Sequence, residues 1–207
     1  MQKITEEQRD ALQELINIGV GRAASMLNEM VDSRILLEIP FVNVFNAAEL
    51  RQELAKLFKD DCFAAVRLSF TGSFSGTADL VFPTESASTL VAVLTGEEPG
   101  TPDLDAVKIG TLSEIGNIVI NGIMGSISNV LKQRLNYTIP VYLEDKIENI
   151  LLLSNNISIS DQTIFLLAQA RFTIEQLEMM GDIILIFEMS SFDALIGAIN
   201  QELEVTL

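Results

Sequence analysis

A glutamate and an asparagine stand three residues apart at two places in the chain, as Glu14 with Asn17 and as Glu114 with Asn117. On a helix, residues three apart share a face, so each carboxylate would sit beside its carboxamide. A carboxylate can take a proton or pair with a cation, and a carboxamide can hold and orient a water molecule. Neither pair has a nucleophile or a metal cluster beside it. The spacing therefore predicts an incomplete active site, to which a partner brings the reactive group and the metal.

The segments around both pairs read as long amphipathic helices, from residue 5 to about 32 and from residue 104 to about 133. At 100° per residue, the apolar face of the first helix holds Leu12, Ile16, Gly19, Ala23, Leu27 and Met30. The opposite stripe of that helix holds Asp10, Glu14, Asn17, Gly21, Ser25 and Asn28. The same stripe of the second helix holds Gly110, Glu114, Asn117, Asn121, Gly125 and Ser128. Both Glu and Asn pairs therefore point away from the core.

Both stripes carry more small and apolar residues than a face that meets only water. Ile18 and Ile118 lie at their flanks, and an interior glycine costs a helix about 1 kcal/mol. Something therefore comes close to these faces. We predict that a partner contacts Asp10, Ile18, Gly21, Ile118 and Asn121.

Two alternatives stay open for these stripes. A single Glu-x-x-Asn occurs most often on a plain solvated helix face. The spacing of Gly21 with Ser25, and of Gly122 with Ser126, also suits the close packing of two helices.

A shift of 100 residues aligns the two halves of the chain. It places Glu14 on Glu114, Asn17 on Asn117 and Pro40 on Pro140. Three specified residues at fixed spacing recur by chance at only about one position in several thousand, which weighs against a plain solvated face. A shift of 105 places "GTADLVF" on "GDIILIF". We predict one domain made of two repeats, about 1–98 and 104–207, joined by an acidic, turn-forming linker at 95–103.

Each repeat reads as a long helix followed by strands. The first helix begins with the capping-box pattern "TEEQ", and residues 101–103 make a good start for the second. Short strands are predicted around 35–44 and 137–143, and longer strands at 63–71, 77–82, 163–173 and 182–188. A shorter helix at 48–58 is predicted in the first half alone. The fold class is therefore α+β (mixed α/β layers), with two motif helices on an extended, mostly antiparallel sheet.

The composition excludes several reaction classes and partners. The chain has no His, so His-based triads and His-ligated zinc are excluded, and its single Cys62 can form neither an internal disulfide nor a thiolate cluster. Ordinary cysteine behaviour predicts that Cys62 is a small buried hydrophobe. With a net charge of −16, nucleic acid and anionic membrane are poor partners. No apolar run suits a membrane span, and the start suits no signal peptide, so we expect a cytoplasmic protein.

The motif residues resemble a known family. Asp10, Glu14, Asn17 and Pro40 fit the pattern of Asp or Ser, then Glu, Asn and Pro that is found in the CheC/CheX/FliY family of chemotaxis phosphatases. Glu114, Asn117 and Pro140 repeat its last three elements, so the chain is similar to the two-motif, CheC-like members over nearly its whole length. The resemblance implies two motif helices lying side by side on one sheet, related by a pseudo-two-fold axis.

What the resemblance implies for function is dephosphorylation of a CheY-like response regulator. Glu14 and Glu114 would pair with the lysine of the receiver's active site. Asn17 and Asn117 would hold the attacking water in line with the aspartyl-phosphate. The Mg²⁺ would come bound to the receiver, so the chain needs no cofactor or metal of its own. The deamidase CheD is the family's other usual partner.

The second motif departs from the family pattern at Gly110, where the family has Asp or Ser. This leaves open whether both sites are active. Two other functions remain: a non-catalytic adaptor that binds a receiver or CheD, and a structural part of a flagellar switch. The intact Glu and Asn pairs favour catalysis over the adaptor. We expect no switch role, because the sequence has no room for the extra flagellar-switch domain of FliY.

Overall fold

The computed structural model describes residues 4–30, 34–39, 42–57, 62–96, 105–153, 163–174 and 177–206. Their helices are α1 (Glu6–Met30), α2 (Ala47–Leu57), α3 (Thr84–Thr95), α4 (Ala106–Val130) and α5 (Met189–Thr206). A π-helical turn spans Asn149–Leu153. The first-half strands are β1 (Ile35–Glu38), β2 (Val42–Asn46), β3 (Cys62–Gly72) and β4 (Gly76–Pro83). The second-half strands are β5 (Leu135–Tyr137), β6 (Val141–Lys146), β7 (Thr163–Ile174) and β8 (Leu177–Glu188).

The eight strands of the described residues form one antiparallel sheet, which confirms the predicted α+β class. Its order is β1-β7-β8-β4-β3-β5, with β2 beside β7 and β6 beside β3. Exchanging each strand for its counterpart in the other half gives the same order read from the opposite edge. The sheet therefore has a pseudo-two-fold axis between β4 and β8.

The edge strands are exchanged between the halves. β1 and β2 pair with β7 of the second half, and β5 and β6 pair with β3 of the first half. The two halves join in the middle through β4 and β8. Each half thus supplies the edge of the other half's sheet. The boundaries at 98 and 104 stay a prediction, since residues 97–104 lie outside the described ones.

Side chains alternate between the two faces of the sheet, and each face has its own core. One face carries the larger core, to which α1, α3, α4 and α5 contribute; Ala64, Val66 and Leu68 of β3 point to this side. The opposite face carries a smaller core, built on Phe63 and Ala65 with residues of α2 and the π-helical turn. Both motif helices therefore lie on the same face.

The two motif helices begin with side-chain caps. Thr5 and Gln8 form the predicted capping box: the Thr5 amide donates to Gln8 Oε1, and the Gln8 amide donates to Thr5 Oγ1. Helix α4 is capped by Asp105, whose carboxylate accepts from the amides of Val107 and Lys108. The start predicted at 101–103 lies outside the described residues, and α4 ends at Val130, slightly earlier than predicted. Asp105 takes the cap because its carboxylate reaches two free amides of the first turn.

Helices α1 and α4 pack directly on one another through glycines. A Cβ at Gly19 would lie 2.6 Å from the Gly122 carbonyl oxygen, and a Cβ at Gly122 would lie 3.0 Å from Ala23 Cβ. Ser126, one turn beyond Gly122, is fully buried. The helix-packing interpretation is therefore right for Gly122.

A buried ion pair ties the sheet to the π-helical turn. Arg67 and Asp79 face one another across β3 and β4; Arg67 Nη2 donates to Asp79 Oδ2 at 3.0 Å and to the Ile150 carbonyl at 2.8 Å. Burial raises the pKa of Asp79, and the hydrogen bond and charge of Arg67 oppose this rise. Asp182 on β8 is also buried, and desolvation raises its pKa to about 7.

Two smaller expectations were wrong. Cys62 is exposed, because it opens β3 at the end of the sheet rather than in its middle. The short helix α2 has a partial counterpart, since the π-helical turn follows β6 as α2 follows β2. None of the described helices combines the length and apolarity needed to cross a membrane.

Candidate functional site

The first pair lies on the outer face of α1, held by the loop between β1 and β2. Glu14 is exposed and Asn17 half-buried. Asn17 Oδ1 accepts a hydrogen bond from the Ile39 amide at 3.2 Å, and Ile39 itself is only 3% exposed. The loop therefore closes onto the helix beside the motif asparagine. Pro40, the last element of the motif, follows directly but lies outside the described residues.

The second pair lies on α4 and is held differently. Glu114 is exposed and Asn117 half-buried, as in the first pair. Asn117 Oδ1 accepts from Asn121 Nδ2 at 2.7 Å. Ile139, the counterpart of Ile39, is 83% exposed, and Pro140 after it is half-buried. The side chain one helical turn ahead replaces the loop amide as donor.

The loop between β5 and β6 has another anchor. The Thr138 amide donates to the Ser69 carbonyl on β3 at 3.0 Å, and the Ser69 amide donates to Thr138 Oγ1 at 3.0 Å. These bonds hold the loop to the sheet edge. Ile139 points into solvent as a result.

Both asparagines keep capacity for a water molecule. A carboxamide oxygen has two lone pairs, and each Oδ1 accepts one hydrogen bond from the chain. Among the bonds of the described residues, one lone pair remains at Asn17 and one at Asn117. The internal bond also fixes the direction of the carboxamide, so the remaining lone pair has a defined direction.

The two glutamates are free to meet a cation. Glu14 and Glu114 are exposed, and neither forms a hydrogen bond or an ion pair within the part of the chain that the structure describes. An exposed carboxylate with no internal partner can pair with an ammonium group without first breaking a bond. Each pair thus offers a fixed carboxamide and a free carboxylate on neighbouring turns.

The first stripe is open to solvent where a partner contact is predicted. Asp10 and Gly21 are exposed, and Ile18 is 37% exposed. No atom of the described residues lies within 4 Å of a Cβ built on Gly21, so no described helix packs against that glycine. Asp10, Ile18 and Gly21 therefore share one open surface with the first pair.

The prediction for Ile118 was wrong. Ile118 is 5% exposed and belongs to the main core. The reason lies at Gly116, where α4 touches β3: a Cβ there would lie 2.5 Å from Val66 Cβ. The counterpart of Gly116 is the bulky Ile16, so α4 lies closer to the sheet than α1 and its flank is covered. Asn121 is half-buried and contacts Asn117, which the sequence pattern did not indicate.

Two groups that position parts of the first site were not predicted from the sequence. The Ile39 amide is a backbone group, and the only signal for it was the constant spacing from Asn17 to Pro40. Asn28 was assigned to the outer stripe, but it bonds both the amide and the carbonyl of Ile35 and so fixes the start of β1. The outer stripe of α1 therefore also positions β1, the strand that leads to the loop between β1 and β2.

The sequence is similar to two phosphatases of Bacillus subtilis (strain 168). It is 28% identical over 144 residues to the CheY-P phosphatase CheC, covering 66% of this chain and 66% of that protein. It is 23% identical over 139 residues to the flagellar motor switch phosphatase FliY, covering 66% of this chain and 35% of that protein. The matches thus span about two thirds of CheC and about one third of FliY. No family model matches the chain.

The fold is shared with three solved structures, those of a FliY, a FliM middle domain and a CheX. FliY of Thermotoga maritima superposes with a TM-score of 0.76 at 17% identity, over 96% of this chain and 98% of that one. The FliM middle domain of H. pylori gives 0.64 at 13% identity, over 94% and 99%. CheX of Vibrio vulnificus gives 0.55 at 15% identity, over 84% and 99%. The chain therefore shares its fold with FliY, FliM and CheX, and its sequence is similar to those of CheC and FliY.

Proposed function

We propose that the chain is a phosphatase that accelerates hydrolysis of the aspartyl-phosphate on a CheY-like response regulator. The observation that carries this proposal is the pairing, on each motif helix, of a free glutamate with an asparagine whose carboxamide is fixed by one internal bond. The similarity to the CheY-P phosphatase CheC supports the choice of substrate.

Each asparagine acts by positioning. The free lone pair of Oδ1 accepts a hydrogen bond from the attacking water and holds the water oxygen in line with the phosphorus–aspartate bond. The water attacks phosphorus, the bond to the receiver's aspartate breaks, and inorganic phosphate leaves. Asparagine is a poor base, so it contributes direction rather than proton transfer. The Mg²⁺ that neutralises the phosphoryl oxygens belongs to the receiver.

Each glutamate fixes the position of the receiver. Glu14 and Glu114 would pair with the lysine of the receiver's active site, a charge-assisted contact. The net charge of −16 favours a partner with a basic face and disfavours nucleic acid. Asp10, Ile18 and Gly21 extend the contact beside the first pair. CheD stays a predicted second partner, and the reaction is expected in the cytoplasm.

The test is phosphate release from a Mg²⁺-bound receiver charged with acetyl phosphate. The variants are Asn17→Ala, Asn117→Ala and the double substitution, with Asn129→Ala as the control because Asn129 is an exposed asparagine of α4 outside the motif. We expect acceleration by the wild type and by Asn129→Ala, and none by the double variant. Full activity of the double variant would end the proposal.

A second candidate is a non-catalytic role, as an adaptor or a part of a flagellar switch. The observation that favours it is the fold shared with the FliM middle domain. A wild-type protein that binds the phosphorylated receiver but leaves its rate of phosphate release unchanged would establish this second function.

A further inference from the structure

The two motif asparagines receive their internal hydrogen bond from different donors. Asn17 is held by a backbone amide, that of Ile39, and Asn117 is held by the side chain of Asn121. The counterpart of Asn121 in the first half is Gly21, which has no side chain to donate. The first site could therefore not use the donor of the second site.

The backbone donor of the first site has its own support. Ile39 follows β1, which pairs with β7 along its length and is fixed at its start by Asn28. In the second half the loop is bonded to Ser69 of β3, and its Ile139 is exposed. The side chain of Asn121 supplies what this loop does not.

We propose that Asn121 is the positioning residue of the second site. This inference rests on the proposed function, since it assigns how Asn117 is held for that reaction. A carboxamide can turn over by rotation about its last bond, which exchanges its oxygen with its nitrogen. The Nδ2 group of Asn121 donates to oxygen, so it stabilises the one orientation in which Asn117 Oδ1 stays on that side. A freely rotating carboxamide of Asn117 would spend part of the time with its amino group at the place where the acceptor oxygen is needed.

Substitutions of Asn121 separate this role from simple packing. Ala removes the donor. Asp keeps the size of the side chain but offers only acceptors when ionised, so it would bond Nδ2 of Asn117 and turn the carboxamide over. Gln keeps an amide donor on a longer side chain. If Asn121 only filled space, Asp would be the mildest substitution, because it has the same size. If Asn121 positions Asn117, the loss of activity with Asp should be at least as large as the loss with Ala.

The experiment uses the Asn17→Ala background, in which only the second site can work. Phosphate release is measured against receiver concentration, to separate kcat from KM, and urea unfolding is measured for each variant. We expect Asn121→Ala to lower kcat about three- to tenfold with KM unchanged. We expect Asn121→Asp to lower it at least as much, and Asn121→Gln to stay within about twofold. Asn129→Ala is the matched control.

Each contrary outcome has one meaning. If the Asn17→Ala protein still accelerates phosphate release and Asn117→Ala leaves that rate unchanged, the proposed function fails and the inference with it. If Asn17→Ala alone already abolishes acceleration, the second site is inactive and the inference fails, while the proposed function stands at the first site. If Asn117→Ala abolishes activity but Asn121→Ala does not lower kcat, the inference alone is wrong. A rise in KM without a fall in kcat would make Asn121 a partner contact. Equal losses for Ala, Asp and Gln, with a lower unfolding midpoint, would make it structural. Either of the last two results overturns the positioning role.

Discussion

Ile18 and Ile118 hold equivalent places on the two motif helices, but the first is 37% exposed and the second 5%. Gly116 brings α4 against Val66, so the flank that stays open on α1 is covered on α4. The two predicted partner surfaces therefore differ even though both motif pairs are intact. The flank of α1 exposes an isoleucine, whereas on the second half the exposed isoleucine is Ile139 of the loop between β5 and β6.

Alanine at these two positions should separate docking from stability. Ile118→Ala removes core contacts and should lower the free energy of unfolding by about 2–4 kcal/mol. Ile18→Ala should change it by no more than about 0.5 kcal/mol, but should weaken binding of the receiver. Urea unfolding and titration with a phosphorylated receiver measure the two effects. Equal losses of stability would mean that the two helices lie at the same depth.

Two glycines of the motif helices should respond in opposite directions to alanine. Gly19→Ala places a Cβ against the Gly122 carbonyl, and overpacking of this kind costs about 1–3 kcal/mol. Gly110 has open space around it, so Gly110→Ala should raise stability by about 0.5–1 kcal/mol through helix propensity. Thermal unfolding of both variants checks this. A stabilised Gly19→Ala would contradict direct packing of α1 on α4.

Removing one member of the buried ion pair should be more harmful than removing both. Arg67→Met leaves Asp79 buried without its partner, which costs about 3–5 kcal/mol. Adding Asp79→Leu removes the orphaned carboxylate and should recover much of that loss. Denaturant unfolding of both single variants and the double variant gives the coupling. Additive losses would show that the pair does not interact energetically.

Asp182 should make the protein less stable as pH rises. Burial raises its pKa to about 7 in the folded state, so between pH 4 and 7 the folded chain keeps a proton that the unfolded chain releases. The contribution of protonated Asp182 to the free energy of unfolding is fully present below pH 4 and is lost as the pH rises through 7. About 1.4 kcal/mol for each pH unit gives a loss of roughly 4 kcal/mol.

Asp182→Asn cannot titrate and isolates this effect. We expect the difference in unfolding free energy between wild type and variant to change in favour of the variant from pH 4 to pH 8. Unfolding in urea at several pH values measures the difference. A constant difference over this range would show that Asp182 keeps an ordinary pKa in the fold.

Local patterns predicted the local structure well. The capping box between Thr5 and Gln8 and the faces of α1 follow from nearest neighbours along a helix, and the structure has both. The alternation of side chains also predicted the long strands. These features depend on residues within a few positions of each other, so one sequence carries enough information for them.

Features that depend on distant contacts could not be predicted. The burial of Ile118 depends on how closely Gly116 approaches Val66, which no helical periodicity encodes. The bond from Asn121 to Asn117 is local, but its spacing alone did not indicate it, because many helical pairs four residues apart form no bond. The donor to Asn17 is a backbone amide, and its only trace in the sequence is the constant spacing from Asn17 to Pro40.

The exchange of edge strands bears on how such a chain arose. A single repeat would possess two inner strands and an edge that fits only the other repeat, so it would be left with unpaired hydrogen-bonding groups along its outer strand. Two separate copies could satisfy this need only by lending edges to each other. The ancestor of the gene would then have encoded an intertwined homodimer, and fusion of two copies would have freed the pair to diverge. The separate anchoring of the two asparagines is the kind of difference that a symmetric dimer could never acquire.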